Sequence, residues 1–303
     1  MQSRLLRSFL AVAENNSITK AAEILHISQP ALTKSMQKLE EEFEVKLFDR
    51  VSTGVRLTNF GEILFQHAKV MENEYRHAVS RIDRLRGGQS SVLRIGAGPV
   101  WLVSILPPIV ARFQEQQPGV NISLIGGVID TLVPELINGE LDLICVSLDF
   151  PNRSEVIKQK LFDIHHVLIA DPSHPLARES EVDALMIHNY PWMVLKSDYV
   201  GTERISSFFA ANRLEPPHIA FETTSIHSLL QGLKSGRYIA HVPAQMLPLA
   251  HAIGLQEIKL KQPIWETTAG YAYRASAKVP DHMKTFMQML QGSEHARQAI
   301  INH

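Results

Sequence analysis

The 303-residue sequence predicts an α/β protein in three parts: a winged helix-turn-helix head, a long linker helix, and two α/β lobes. Three patterns predict it. Short amphipathic helical stretches and a Gly-containing strand pair fill residues 1–58, an unbroken heptad fills 59–86, and strand and helix patterns alternate from residue 92 onward.

In the head, Leu6, Phe9, Leu10 and Ala13 form one stripe of a first helix, which the Asn15-Asn16-Ser17 cluster ends. Ser17 is placed to cap a second helix whose inward face is Ile18, Ala21, Ala22 and Leu25. His26-Ile27-Ser28 then turns into a third helix with Pro30 in its first turn. Two short helices joined this tightly make a helix-turn-helix. Leu32, Met36, Leu39 and Phe43 fall at i, i+4, i+7 and i+11, a buried stripe. The outward face therefore holds Gln29, Thr33, Lys34, Gln37 and Lys38. Lys46-Leu47-Phe48 and Val55-Arg56-Leu57 flank residues 49–54, a spacing that suits a two-stranded wing with a turn at Gly54.

From 59 to 86, Leu64, Ala68, Met71, Tyr75, Ala78, Ile82 and Leu85 repeat at alternating steps of four and three. A helix about 40 Å long with such a seam needs something to bury it, and a second copy of the chain is the simplest partner. Residues 87–91, Gly-Gly-Gln-Ser-Ser, break the helix and mark a hinge.

Beyond the hinge, strands at 92–95, 120–125 and 141–147 alternate with helices at 102–117 and 131–138. A second series follows: strands at 166–170, 219–222 and 238–242, helices at 203–212 and 226–235. Parallel α/β patterning in two lobes is expected, lobe I taking about 92–163 and 266–303 and lobe II about 164–265.

Composition limits the function classes. Apolar residues make up 45% and charged residues 20%, enough to bury large cores and too unbiased for disorder. The single cysteine, Cys145, cannot form an internal disulfide, and the charged residue at Glu14 comes too early for a secretory leader, so a cytoplasmic protein is expected. No apolar run nears the roughly 20 residues of a membrane span, so no membrane partner is expected. Residues 1–88 hold 13 Lys and Arg against 11 Asp and Glu, a net of +2; the remainder holds 17 against 20, a net of −3. So small an asymmetry decides nothing, and the placement of the cations must carry any DNA argument.

Catalytic patterns are lacking. Gly96-Ala97-Gly98 after the first lobe I strand starts like a dinucleotide fingerprint, but Trp101 stands where the third glycine belongs and Pro99 lacks an N–H. A cytoplasmic nucleotide-dependent oxidoreductase using the Gly96–Gly98 loop stays as the alternative function, and a solute-binding protein as a weaker one. No Cys-x-x-Cys or His-x-x-His spacing suggests a metal, and adjacent His165 and His166 on a strand face opposite sides. Cys145 in an apolar strand reads as buried and inert.

Residues 18–43, with Lys46-Leu47-Phe48-Asp49-Arg50 and Val55-Arg56-Leu57-Thr58, closely resemble the LysR-type transcriptional regulators. The resemblance spans the chain, with Leu136-Ile137-Asn138-Gly139-Glu140-Leu141-Asp142-Leu143 and Leu230-Gln231-Gly232-Leu233-Lys234-Ser235-Gly236-Arg237 at the expected places. It implies a sequence-specific DNA-binding regulator, not an enzyme. Its effector domain would be periplasmic-binding-protein-like, with a small-molecule effector between the lobes and no cofactor. It also implies a homodimer or homotetramer on double-stranded DNA, with RNA polymerase as a further partner.

By that likeness Gln29, Pro30, Thr33, Lys34 and Gln37 enter the major groove, with Lys38 on the same face. Arg50, Thr53 and Arg56 of the wing reach backbone or minor groove. The chemistry agrees: Gln and Lys read base edges, and Arg fixes register on phosphates. Effector contacts are expected at strand ends: Gly98, Pro99, Val100, Trp101 and Leu102; Gly127, Val128, Ile129, Asp130 and Thr131; Ser147 and Leu148; Tyr199, Val200, Gly201 and Thr202; Thr223, Thr224 and Ser225. Thr131, Thr202 and Ser225 are also plausible helix caps. One departure stands out. Family members often present hydroxyls after the first strand, whereas this chain has Pro99-Val100-Trp101, with Ser104 a turn further on. A ligand with an apolar or aromatic portion against Val100 or Trp101 is therefore expected.

Overall fold

The computed structural model describes residues 4–85, 91–196, 198–275 and 279–293. The chain divides into two compact units, one of residues 1–89 with 138–140 and the other of residues 90–137 and 141–303.

The first unit begins with α1 (Arg4–Asn15), α2 (Ile18–Ile24) and α3 (Gln29–Phe43). Ser17 and Ser28 cap α2 and α3, their hydroxyls accepting from the backbone N–H of Lys20 and Ala31. The turn between them passes through His26 at φ 54°. Phe9, Val12, Ala21, Leu32, Met36 and Leu39 close one core. Phe43, expected on that buried stripe, is half exposed instead, because the helix ends there at Glu44 in the left-handed region and has nothing left to pack upon.

The wing is β1 (Phe48–Val51) antiparallel to β2 (Gly54–Leu57). Its connection is only Ser52-Thr53, shorter than the 49–54 loop the sequence suggests. Gly54 adopts φ +140°, and a Cβ there would lie 2.3 Å from the carbonyl oxygen of Asn16, so only glycine lets the wing approach the α1–α2 corner. Glu40 ties α3 to the wing: its carboxylate accepts from the Leu47 N–H at 2.9 Å, the Phe48 N–H at 3.3 Å and Lys46 Nζ at 2.7 Å. Burial alone would raise the Glu40 pKa, but these donors outweigh it and hold the group below its usual value.

The long helix α4 (Asn59–Leu85) follows, and it splits the expected seam in two. Ala68 is buried in the head core and Leu64 packs against it, so these two belong to their own subunit's head rather than to a dimer seam. Lys69 on the same turn forms an ion pair with Glu14 of α1. Met71, Tyr75, Ala78 and Ile82 are exposed, and Phe60 and Ile63, absent from the predicted seam, extend their stripe toward the start of the helix. The Leu85 side chain and the predicted hinge before Ser91 lie outside the described residues.

In the second unit, β3 (Ser91–Ala97), β4 (Val120–Gly126) and β5 (Leu143–Ser147) form the parallel layer of lobe I, with β3 central. α5 (Leu106–Gln116) and α6 (Ile129–Ile137) connect them. A wide helical turn, Trp101–Ile105, precedes α5 and buries Trp101. The layer is not purely parallel. It continues through β11 (Glu266–Arg274) and β6 (Val156–Ala170), both antiparallel to their neighbours.

β6 is a single 15-residue strand. Its first part pairs with β11 in lobe I; its last part pairs with β9 (Ala240–Pro243) and β10 (Gln256–Ile258) in lobe II. The strand expected at 166–170 is thus the end of this longer one, and the junction of the lobes falls inside β6 and next to the start of β11. Lobe II adds α7 (Ala184–His188), β7 (Trp192–Leu195) parallel to β8 (Ile219–Thr223), α8 (Tyr199–Ala211), α9 (Ile226–Leu233) and α10 (Leu247–Ala252). α11 (Asp281–Gln291) returns to lobe I, where Phe286 meets Phe113 edge-on at 5.3 Å. Among the described residues no helix is long and apolar enough to cross a membrane.

Candidate nucleic-acid interface and ligand cleft

The polar face of α3 follows from its buried stripe. With Leu32, Met36 and Leu39 inward, Gln29, Pro30, Lys34, Gln37 and Lys38 are exposed and Thr33 is half-buried beside them. All six lie in the first ten residues of the helix, where no acid interrupts them; Glu40, Glu41, Glu42 and Glu44 follow at its far end. The half able to approach a polyanion is therefore the amino-terminal half, which also presents the positive end of the helix dipole.

Arg50, Thr53 and Arg56 are exposed on the wing. Strand register sets the two arginines apart. Arg56 stands opposite Asp49, while Arg50 stands opposite Val55, which is buried, so they leave the ribbon from opposite faces. The sequence reading, which grouped them, had no register to separate them.

In the second unit, a cavity of about 120 Å³ lies where the strand ends of the two lobes meet. Gly98, Pro99, Val100, Trp101, Gly127, Val128, Ile129, Ser147, Val200 and Gly201, all expected from the sequence, line it. The other expected contacts do not. Leu102 packs into the lobe I core, and Leu148 donates its backbone N–H to the Thr268 carbonyl. Thr131 closes a turn on Val128, Thr202 donates to the Asp198 carbonyl, Thr223 accepts from the Ser225 N–H, and Ser225 caps α9. Thr224 lies in the same turn, and Tyr199 is largely exposed. These hydroxyls are consumed in local backbone bonds; of the three expected caps only Ser225 is one, because α6 and α8 begin before Thr131 and Thr202 and Asp198 caps α8.

Asp130 has a different part. From the start of α6 in lobe I its carboxylate accepts from the backbone N–H of Tyr199 at 3.0 Å and of Val200 at 3.4 Å, across the cleft at the start of α8. Asp198 caps the same helix, accepting from the Gly201 N–H at 3.0 Å. Burial, together with the nearby Asp130 charge, pushes the Asp198 pKa up despite that bond. At the rim, Arg204 pairs with Asp149 at 3.0 Å.

Sequence reasoning missed the opposite wall. His166 of β6 and His241 of β9 bring their Nδ1 atoms within 3.3 Å, and Trp265 stacks on His166 at 4.7 Å between ring centres. All three line the cavity, with Ile164, Met246 and Thr267. Burial, with a lesser contribution from His241, pushes the His166 pKa down to about 2; burial pushes that of His241 to about 4. Both imidazoles are neutral at pH 7. One donates to the other, leaving the pair one further donor and one further acceptor. His165, on the other face of the strand, pairs with exposed Glu266 at 3.0 Å. Among the described residues no three His, Cys, Asp or Glu side chains converge as a metal site requires.

The glycine loop is not built for a dinucleotide. Gly96 lies inside β3, where a Cβ would meet the Leu141 side chain at 2.5 Å, and the Gly98 N–H is already donated to the Cys145 carbonyl at 3.0 Å. Cys145 is fully buried, and burial pushes its thiol pKa well above the ordinary value, which leaves it unreactive.

Comparison with known proteins agrees with both halves of this geometry. Residues 3–62 match the family described as bacterial regulatory helix-turn-helix protein, lysR family, and residues 86–294 match the LysR substrate binding domain. The chain is similar to the HTH-type transcriptional regulator PcaQ of Agrobacterium fabrum, at 29% identity over 73% of this chain and 72% of that one. It is equally similar to the RuBisCO operon transcriptional regulator of Allochromatium vinosum, at 29% identity over 81% and 80% of the two chains. Among solved structures, full-length CbnR complexed with its target DNA superposes with a TM-score of 0.65 at 21% identity, covering 96% of this chain and 99% of that one. A full-length OxyR variant from Pseudomonas aeruginosa gives 0.66 at 21% identity, covering 98% and 97%. At such identities these structures speak to the fold.

Proposed function

Since the chain belongs to the lysR family of bacterial helix-turn-helix regulators, and is therefore a DNA-binding transcriptional regulator with an effector domain, we propose how its own residues divide that work. Gln29, Pro30, Thr33, Lys34 and Gln37 of α3 enter the major groove. Lys38, Arg50, Thr53 and Arg56 contact the sugar-phosphate backbone or the minor groove, with Arg50 and Arg56 serving different strands because they leave the wing on opposite faces. The observation that carries the assignment is the acid-free polar face on the first ten residues of α3.

The exposed stripe of Phe60, Ile63, Met71, Tyr75, Ala78 and Ile82 supports a homodimer clasped along α4. It runs about 33 Å along the helix, a length that a second copy of the same stripe would cover. A small effector in the cleft of the second unit acts by binding two lobe arrangements unequally, since differential affinity is all a ligand can contribute. RNA polymerase is the further partner that this reading implies.

The test uses a duplex that the protein itself selects from a random pool. Thr33→Ala with Lys34→Ala is expected to abolish specific retardation of that duplex while leaving the circular-dichroism spectrum intact. Unchanged retardation would overturn the assignment of α3.

A further inference from the structure

The cleft's polar groups are disposed for one kind of ligand. Of the described residues that line the cavity, only Asp198 and Arg204 bear a carboxyl or guanidinium group, and each is already engaged: Asp198 with the Gly201 N–H, Arg204 with Asp149. The start of α8, where backbone N–H groups would otherwise receive an anion, is covered by Asp130 and Asp198. A carboxylate entering here would meet two carboxylates and an already neutralised guanidinium, and would lose its water. A cation would find Asp198 committed to its cap, and imidazoles that burial keeps neutral.

Against this stand two polar atoms with no partner. Trp101 Nε1 and Thr267 Oγ1 are fully buried, on residues 1% and 7% exposed, and neither makes a hydrogen bond. Both residues line the cavity. A buried N–H and a hydroxyl left unmatched are costly unless something occupies the site. Trp265 adds an aromatic ring to the same lining. The volume, about 120 Å³, is close to the roughly 150 Å³ that accommodates a single benzene ring.

Resting on the cleft reading above, we propose that the effector is an uncharged monocyclic aromatic or heteroaromatic compound bearing a carbonyl or hydroxyl, its ring against Trp265 and its oxygen on Trp101 Nε1 and Thr267 Oγ1. This goes beyond a general apolar contact at Trp101, because it fixes the charge, the size and both hydrogen-bonding partners.

Three probes of the same shape test it: benzamide, benzoate and benzamidinium, titrated at pH 7 into the full chain with tryptophan fluorescence as readout. A ligand of this size binds at about millimolar or tighter. Benzamide is expected to saturate at least about tenfold more tightly than either ion. Thr267→Val, which keeps the shape, is expected to weaken it about fivefold. Val200→Trp, which puts a large ring into the lining, is expected to abolish it, with Ser147→Phe as the replacement should Val200→Trp not fold. Either ion binding as tightly as benzamide, with that binding lost in Val200→Trp, overturns the charge class and leaves the cleft reading standing. Benzamide binding unchanged in the folded plug variant overturns both. Failure of all three probes to bind overturns the proposed ligand class alone.

Discussion

The carboxylate of Asp130, on α6 of one lobe, accepts the backbone N–H of Tyr199 at 3.0 Å at the start of α8 in the other lobe. An acidic side chain thus occupies the positive end of a helix to which it is not joined in sequence, and it links the lobes directly. Asp198, the helix's own cap, shares that position, and the two charges face the same few N–H groups.

Replacing Asp130 by Asn should therefore do two things. The contact across the cleft weakens, lowering stability by about 1 kcal/mol, since the site is partly open to solvent. The Asp198 pKa, raised chiefly by burial and further by Asp130, should fall toward its ordinary 3.8. Because its folded value is raised, the stability it contributes is present below the unfolded value and lost as pH rises through the folded one; the variant should lose less. Carboxyl-detected NMR titration and urea denaturation at pH 3 to 7 measure both effects.

Met71 and Leu64 separate the two roles of α4. Met71→Glu with Ile82→Arg should yield a monomer by analytical ultracentrifugation with an intact circular-dichroism spectrum. Leu64→Ala should instead destabilise the head by about 2 to 3 kcal/mol in denaturation experiments, because it removes side-chain volume packed on the head core.

Glu40→Gln should cost the head about 1 to 2 kcal/mol at pH 7, through loss of charge-assisted bonds to the wing. The folded pKa of Glu40 lies below 4.5, so its contribution is present above 4.5 and lost as pH falls through the folded value. The variant should lack that acid-induced loss, as read from urea midpoints at pH 7 and pH 4.

The buried imidazoles predict sensitivity at milder pH. A histidine held neutral in the fold must take a proton on unfolding below 6.5, so stability falls with pH from about 6.5 down to about 4 for His241 and about 2 for His166. Each contributes a slope of about 1.4 kcal/mol per pH unit in its window. His241→Leu should reduce the slope between pH 6 and 5 by about one proton, read from urea denaturation across that range.

The sequence was most legible where structure is local. Ser17, Ser28 and Pro30 announce the ends of α2 and α3 because capping and fixed φ act within four residues. The heptad was half legible: a period marks a face that needs cover, and cannot say whether Leu64 meets its own head or a second copy. Strand ends gave one wall of the cleft, since glycines and prolines there mark turns. The wall of His166, His241 and Trp265 was not legible, because its members lie up to 99 positions apart and meet only where β6 pairs with β9 and with the start of β11. β6 itself escaped notice because Lys158-Gln159-Lys160 and Asp163 interrupt its apolar pattern. Those side chains lie on a strand that changes neighbours midway, so no single period describes it.

That uninterrupted strand bears on how the lobes answer a ligand. With β6 passing through the junction and β11 beginning beside it, the lobes lack a loose swivel, and any change in their angle has to be absorbed as winding of a hydrogen-bonded ribbon. A ribbon resists torsion in proportion to the turn imposed. Occupancy would thus be transmitted as a small elastic rotation that springs back on release, rather than as a wide clamshell closure.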